Sequence, residues 1–230
     1  LQYSVTAPDD LTAIVNIMHA PPVPFIPADH VGEVVAVILV VWSGNLHKGE
    51  QALAPLRALA TPVDDTIHPI PYGEIFRYTD HQSAPHGEAV RMMLADELSD
   101  STIDEILAAV TLSTSPFDLV QLRGLGGAMA RIAPDATAFA VRNQPYCVSI
   151  MGLWLDPADD GRPHQQWTQQ LWAKIRSECT GAYANFLGKD EEDRIHEAYP
   201  GATYERLASI KQIYDPENFF RFNENIEPRA

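Results

Sequence analysis

Apolar positions change period along this chain of 230 residues, and each period predicts a different element. EVVAVILVVW (33–42) is β-branched and apolar on both faces, which predicts a central strand. Just before it, Leu11, Ile14, Val15 and Met18 fall on one helical face behind Asp9 or Asp10, so 8–20 reads as a short capped helix. Four prolines in APPVPFIPADH (20–30) require an extended connection between the two. A helix is expected over 49–59, started or kinked by Pro55. AVRMMLADEL (89–98) suits a strand or a helix equally. A helix comes next, where Thr102 and Glu105 match a capping box and Ile103, Ile106, Leu107 and Val110 form the inner face.

FDLVQLRGL (117–125), TAFAVRN (137–143) and YCVSIMGLW (146–154) read as three strands with turns at 124–127 and 143–145. The last third is helical. Trp167, Leu171 and Ile175 recur four apart, Gly181 stops that helix, and EEDRIHEAY and TYERLASIKQIY come before Pro216 ends helicity. Strands and then helices, without strict alternation, predict an α+β fold: a large, mainly antiparallel sheet flanked by helices on one face.

Composition narrows the function classes. A formal charge of -15 leaves no clustered Lys and Arg to meet phosphates, so a nucleic-acid partner is not expected. No apolar run approaches the roughly 18 residues of a membrane span, so no membrane partner is expected either. The chain reads as soluble, with nothing to decide between cytoplasm and secretion. Asp80, His81, His86 and Glu88 lie in a Pro- and Gly-rich loop, but their spacing matches no metal motif, and no metal site is expected. The Gly124–Gly127 run precedes Ala-Met-Ala-Arg and then another strand, so it reads as a turn between antiparallel strands, not a nucleotide fingerprint. No Gly-x-Ser-x-Gly elbow is present, and Cys147 and Cys179 read as buried structural thiols.

GAYANFLG (181–188) carries more chemistry. Tyr183 and Asn185 alternate, so an extended backbone points them the same way. A phenol beside a carboxamide can orient a polar ligand, and the same pair can equally be a satisfied core Tyr and a turn Asn. Its neighbour in sequence, DRIHEAYPGATYERLASIKQIYDPENFFRFNENIEP (193–228), supplies the context. Tyr183-x-Asn185-Phe186, then Tyr204-x-Arg206-Leu207, Lys211-x-x-Tyr214-Asp215-Pro216 and Asn223-x-Asn225-Ile226 resemble the C-terminal block of the berberine-bridge-enzyme-like FAD-linked oxidases, within the vanillyl-alcohol oxidase superfamily. Upstream, Gly126-Gly127-Ala128, Thr137-Ala138-Phe139-x-x-Arg142 and the strand-ending Trp154 are similar to the same family, as are VVWSGNLHKGEQALAPLRAL (40–59) and HPIPYGEIF (68–76).

The resemblance implies that residues 1–230 are the substrate-binding domain of such an oxidase, with the berberine-bridge-type segment at 181–228. It implies FAD as cofactor, a small-molecule substrate, and hydride transfer from an alcohol, sugar or secondary metabolite to flavin, which oxygen reoxidises. Nothing matches the family's N-terminal FAD-binding domain of about 200 residues. That domain, or a subunit, is therefore the expected upstream partner, and the chain alone is expected to be inactive. Tyr183 is implied as the catalytic base, and Tyr183, Asn185, Asn223 and Asn225 as cofactor contacts. Ser149, Ile150 and Arg142 are placed in the substrate pocket. Many members carry a second polar residue four or five positions before the strand-ending Trp, where this chain has Ile150 and Ser149, neither an acid nor a base at neutral pH. The reading from a different class is a non-catalytic partner module that keeps the fold without flavin.

Overall fold

The computed structural model describes residues 1–22, 26–78, 87–156, 158–188, 191–222 and 224–229. Its centre is a sheet of five strands: β1 (Leu11–His19), β2 (Val34–Trp42), β3 (Gly87–Ala95), β4 (Leu119–Gly124) and β5 (Tyr146–Trp154). Their order is β2-β1-β4-β5-β3 and every pairing is antiparallel. The α+β expectation holds.

Seven α-helices are described: α1 (Gln2–Thr6), α2 (Leu46–Arg57), α3 (Asp100–Leu112), α4 (Gly127–Ala130), α5 (Arg162–Ile175), α6 (Ile195–Ala198) and α7 (Ala202–Tyr214). Two of them, α3 and α5, lie against one face of the sheet. There Val120, Leu122, Val148, Ile150 and Met93 meet Ile106, Val110, Leu171 and Ile175 in the main core. This buried apolar layer holds the sheet rigid behind whatever its other face does.

Four expectations need correction. Residues 11–19 form a strand, not a helix, because Ala13, Val15 and Ile17 alternate onto the helix-covered face. The apolar spacing there satisfies both periods, and pairing with two neighbouring strands decides it. Nor is 34–42 central: it is the edge strand beside β1, and Leu39 and Val41 remain exposed on the uncovered face. The segment 137–143 is irregular. Arg142 closes it on itself by donating to Thr137 Oγ1 (2.8 Å) and to the Met129 carbonyl (3.2 Å). Finally, α3 is capped three residues earlier than expected, by Ser99, whose Oγ accepts from the Thr102 N–H at 3.1 Å.

Trp154 closes β5 by stacking on His164, with ring centroids 5.2 Å apart. His164 is itself buried against Asp118, its Nδ1 2.9 Å from Oδ1. Gly161 is required beside this stack. Its φ is +70°, and a Cβ there would stand 2.3 Å from Cζ2 of Trp154.

Candidate functional site

Strand register fixes which side chains share the face turned away from α3 and α5. Asn16, Gln121, Ser149 and Met92 form one row across β1, β4, β5 and β3. Ile14, Arg123, Cys147 and Leu94 form the next. Against that second row packs a smaller cluster, in which Met92, Leu94, Cys147 and Val141 are covered by Leu125, Phe139, Tyr183 and Phe186. The uncovered face therefore carries polar groups at its middle and aromatics at one end.

The segment holding Tyr183 is fastened to the outer edge of β3. Leu94 and Thr180 exchange two backbone hydrogen bonds, of 2.9 and 2.6 Å. Gly181 comes next with φ +66° and turns the chain over the face. Arg194 is the second tie. It is buried, and its Nη2 donates to the carbonyls of Met92 (3.2 Å) and Gly181 (3.3 Å). Glu191 (2.5 Å) and Glu197 (2.8 Å) balance its charge.

Tyr183 then sits edge-on to Phe139 (5.6 Å) and tilted against Phe186 (5.6 Å). Asn185 Nδ2 donates to the Tyr183 hydroxyl oxygen at 2.8 Å. A 3-10 turn over Ala184–Phe186, not the extended backbone expected, brings Tyr183 and Asn185 together, and the phenol proton stays available to another partner. Nearby Tyr199 is raised above its ordinary range by burial, then by Glu224 and Tyr183, so it remains a protonated donor.

The other candidate residues separate. Ser149 lies on the uncovered face but is 0% exposed beneath its neighbours, its Oγ 3.8 Å from Cys147 Sγ. Ile150 points the opposite way, into the helix-covered core, because neighbouring strand residues alternate faces. It cannot line a pocket on the uncovered side. Arg142 stacks 5.1 Å over Phe139 while its terminal nitrogens hold the 129–142 loop, so it supports an aromatic wall without reaching outward.

Asn225 lies in a polar recess with Asn218, His196, Tyr204 and Arg221, and its Oδ1 is buried without a hydrogen-bond partner. Asn223 lies outside the described residues, as do Asp80, His81 and His86 of the loop cluster. Among the described residues no three His, Cys, Asp or Glu side chains gather as a metal site. Both cysteines are free thiols. Burial pushes Cys147 up, against smaller pulls from Ser149 and Arg123, and burial with Glu178 pushes Cys179 to about 11. Neither is a nucleophile at neutral pH.

Three residues of this face escape a motif search: Asn16, Gln121 and Arg123. The signal is the alternation in FDLVQLRGL, where apolar Val120 and Leu122 face the core and polar Gln121 and Arg123 face away. Gln121 Nε2 donates to Asn16 Oδ1 at 2.9 Å, and Arg123 Nε donates to Gln121 Oε1 at 2.7 Å. Arg123 also lies 5.1 Å over the Phe186 ring, which joins this ladder to the Tyr183 cluster.

Comparison with known proteins places these features in context. The family described as "Berberine and berberine like" matches residues 182–227, the segment that begins just before Tyr183. An FAD-linked oxidoreductase of Dictyostelium discoideum is 28% identical over 197 residues, covering 84% of this chain and 42% of its own length. An FAD-linked oxidoreductase of Bacillus subtilis is 30% identical over 189 residues, covering 78% of this chain and 40% of its own. Berberine bridge enzyme from Eschscholzia californica shares the fold with a TM-score of 0.78 at 17% identity, over 100% of this chain and 51% of that one. The chain spans about half the length of the relatives it matches.

Proposed function

Because this chain belongs to the berberine-bridge-enzyme-like FAD-linked oxidoreductases, and matches part of their length, we propose that it is the substrate-binding domain of such an enzyme. The substrate class is an alcohol, sugar or secondary metabolite. When bound, FAD supplies the hydride acceptor, with oxygen as the final oxidant.

The residues suit one side of that cofactor. The uncovered face offers aromatic rings and amide groups for a flat ring system, with the Tyr183–Asn185 pair at its border. The buried, unpaired Oδ1 of Asn225 awaits a donor from a neighbouring group. Among the described residues no Gly-rich loop joins a parallel strand to a helix, so the diphosphate is left to an upstream FAD-binding domain or subunit.

Tyr183 is the base in this reading. Having first released its own proton to solvent, the Tyr183 oxygen accepts the substrate's hydroxyl proton while Asn185 continues to donate to that oxygen. Loss of a hydride from the alcohol carbon becomes feasible as its oxygen gives up that proton. Phe139 and Phe186 hold the phenol in place and keep water from its flanks. The observation that carries the proposal is the seating of the Tyr183–Asn185 pair on the sheet face opposite α3 and α5.

Tyr183→Phe tests it in the flavin-loaded protein. Single-turnover flavin reduction should slow by about 10²- to 10⁴-fold, the usual contribution of a general base, with flavin content unchanged. An undiminished rate removes Tyr183 from that role. A flavin-loaded protein that oxidises none of these substrate classes favours the non-catalytic partner module instead.

A further inference from the structure

The ladder on the uncovered face has a polarity that the proposed function does not use. Arginine can only donate, so Gln121 must turn its carbonyl oxygen to Arg123 Nε and its amide nitrogen to Asn16. Asn16 must then accept with Oδ1, which leaves its Nδ2 pointing onward. Each free end of the ladder is therefore a donor: Asn16 Nδ2 at one end and the two Nη groups of Arg123 at the other. Among the described residues no acceptor meets any of them, and no carboxylate pairs with Arg123.

The chain holds 31 acidic residues against 16 Lys and Arg, yet none of the described carboxylates reaches this half-buried fork. Arg57, Arg91, Arg131, Arg162 and Arg194 each meet a carboxylate, and buried Arg142 fills both terminal nitrogens with neutral acceptors, whereas Arg123 is held at Nε alone. Arg123 is half-buried on the central strand β4, stacked on Phe186 and locked at Nε, so its planar fork is pre-set and desolvated on one side. A fixed fork of this kind matches a carboxylate in two parallel hydrogen bonds.

We propose that Arg123, oriented by Gln121 and Asn16, selects substrates that carry a carboxylate group in addition to the hydroxyl that is oxidised. This rests on the reading of the uncovered face as the substrate side. Phe186 touches both Arg123 and Tyr183, so one small hydroxy acid can place its carboxylate on the fork and its alcohol towards the phenol. Arg123 is thus a specificity residue, distinct from the proton acceptor.

The test titrates the chain with 4-(hydroxymethyl)benzoate and with its neutral counterpart, benzyl alcohol, monitored by NMR. The acid should bind about tenfold more tightly, the worth of one charge-assisted fork, and shift the side-chain signals of Arg123, Gln121 and Asn16. Added salt should erode the difference. Arg123→Met should remove the preference while leaving benzyl alcohol binding unchanged. Arg123→Lys, which keeps the charge and loses the fork, should fall between and guards against a folding defect in the first variant. Equal binding of the two probes, failure of the acid to bind, or equal weakening of both by Arg123→Met overturns the proposal. None of those results bears on Tyr183, whose role is read from flavin reduction alone.

Discussion

Asp215 organises the chain's last turn. Its carboxylate accepts the backbone N–H groups of Phe219 (2.7 Å) and Phe220 (3.0 Å), and Lys211 donates to it at 2.6 Å. Lys211 also caps the Phe220 carbonyl at 2.6 Å, and Asn218 takes φ +51° to let the turn close. The Lys211 hydrogen bond and these two backbone donors hold the Asp215 carboxyl below its ordinary value, outweighing the opposing effect of burial. A depressed folded-state value means the stabilisation is fully present above the unfolded carboxylate range. It is lost as pH falls through the folded value. The amides of Phe219 and Phe220 should therefore stay protected from hydrogen exchange at neutral pH and lose protection only below about pH 4. Asp215→Asn should expose them across the whole range, and protection that persists in that variant would refute the assignment. The sequence shows Asp215 within a Lys-x-x-Tyr-Asp-Pro turn; its three partners depend on α7 and the tail meeting in space.

At the scale of elements, pattern is most legible where one face is buried and one is not. The amphipathic helix α5 and the strands β4 and β5 keep closely to their apolar spacing. β1 defeats the pattern because nine residues can satisfy a helical and a strand period at once, and only its two neighbours choose. The same limit hides the ladder, since Asn16 and Gln121 are 105 residues apart and become partners through register. Attachment of the Tyr183 segment is likewise invisible, because Arg194 reads in sequence as one more charge on a helical stretch. Replacing it with Met strips buried Glu191 of its 2.5 Å partner, leaves it only the longer contact with Arg91 (3.6 Å), and frees two carbonyls. Arg194→Met should cost about 3–5 kcal/mol in denaturant unfolding, the usual penalty for breaking a buried pair. In the flavin-loaded protein it should also slow flavin reduction without touching the Tyr183 side chain, because Gly181 is no longer held to Met92. A loss of stability with full reduction rate would separate Arg194 from the site.

Seen whole, the molecule has one face closed by helices and another lined by amides, rings and an uncompensated guanidinium. Its C-terminal tail adds exposed aromatics, with Phe219, Phe220 and Phe222 all largely outside the fold. Exposed rings of this kind suit burial against another surface, and the curated relatives matched are about twice this length. The two margins of the sheet are treated differently. Thr180 and Arg194 blunt the margin at β3, whereas among the described residues nothing pairs with the outer side of β2, nine residues of mostly β-branched chain. An apolar strand with a free margin is a template for a second copy. With a formal charge of -15, mutual repulsion is what keeps two such margins apart, and its reach shrinks from about 10 Å in 0.1 M salt to about 3 Å in 1 M. Light scattering should therefore rise with salt for the chain and stay flat for Val41→Lys, and equal scattering for both would absolve β2. Colloidal shelf life, not thermal unfolding, is then the property that this one strand governs.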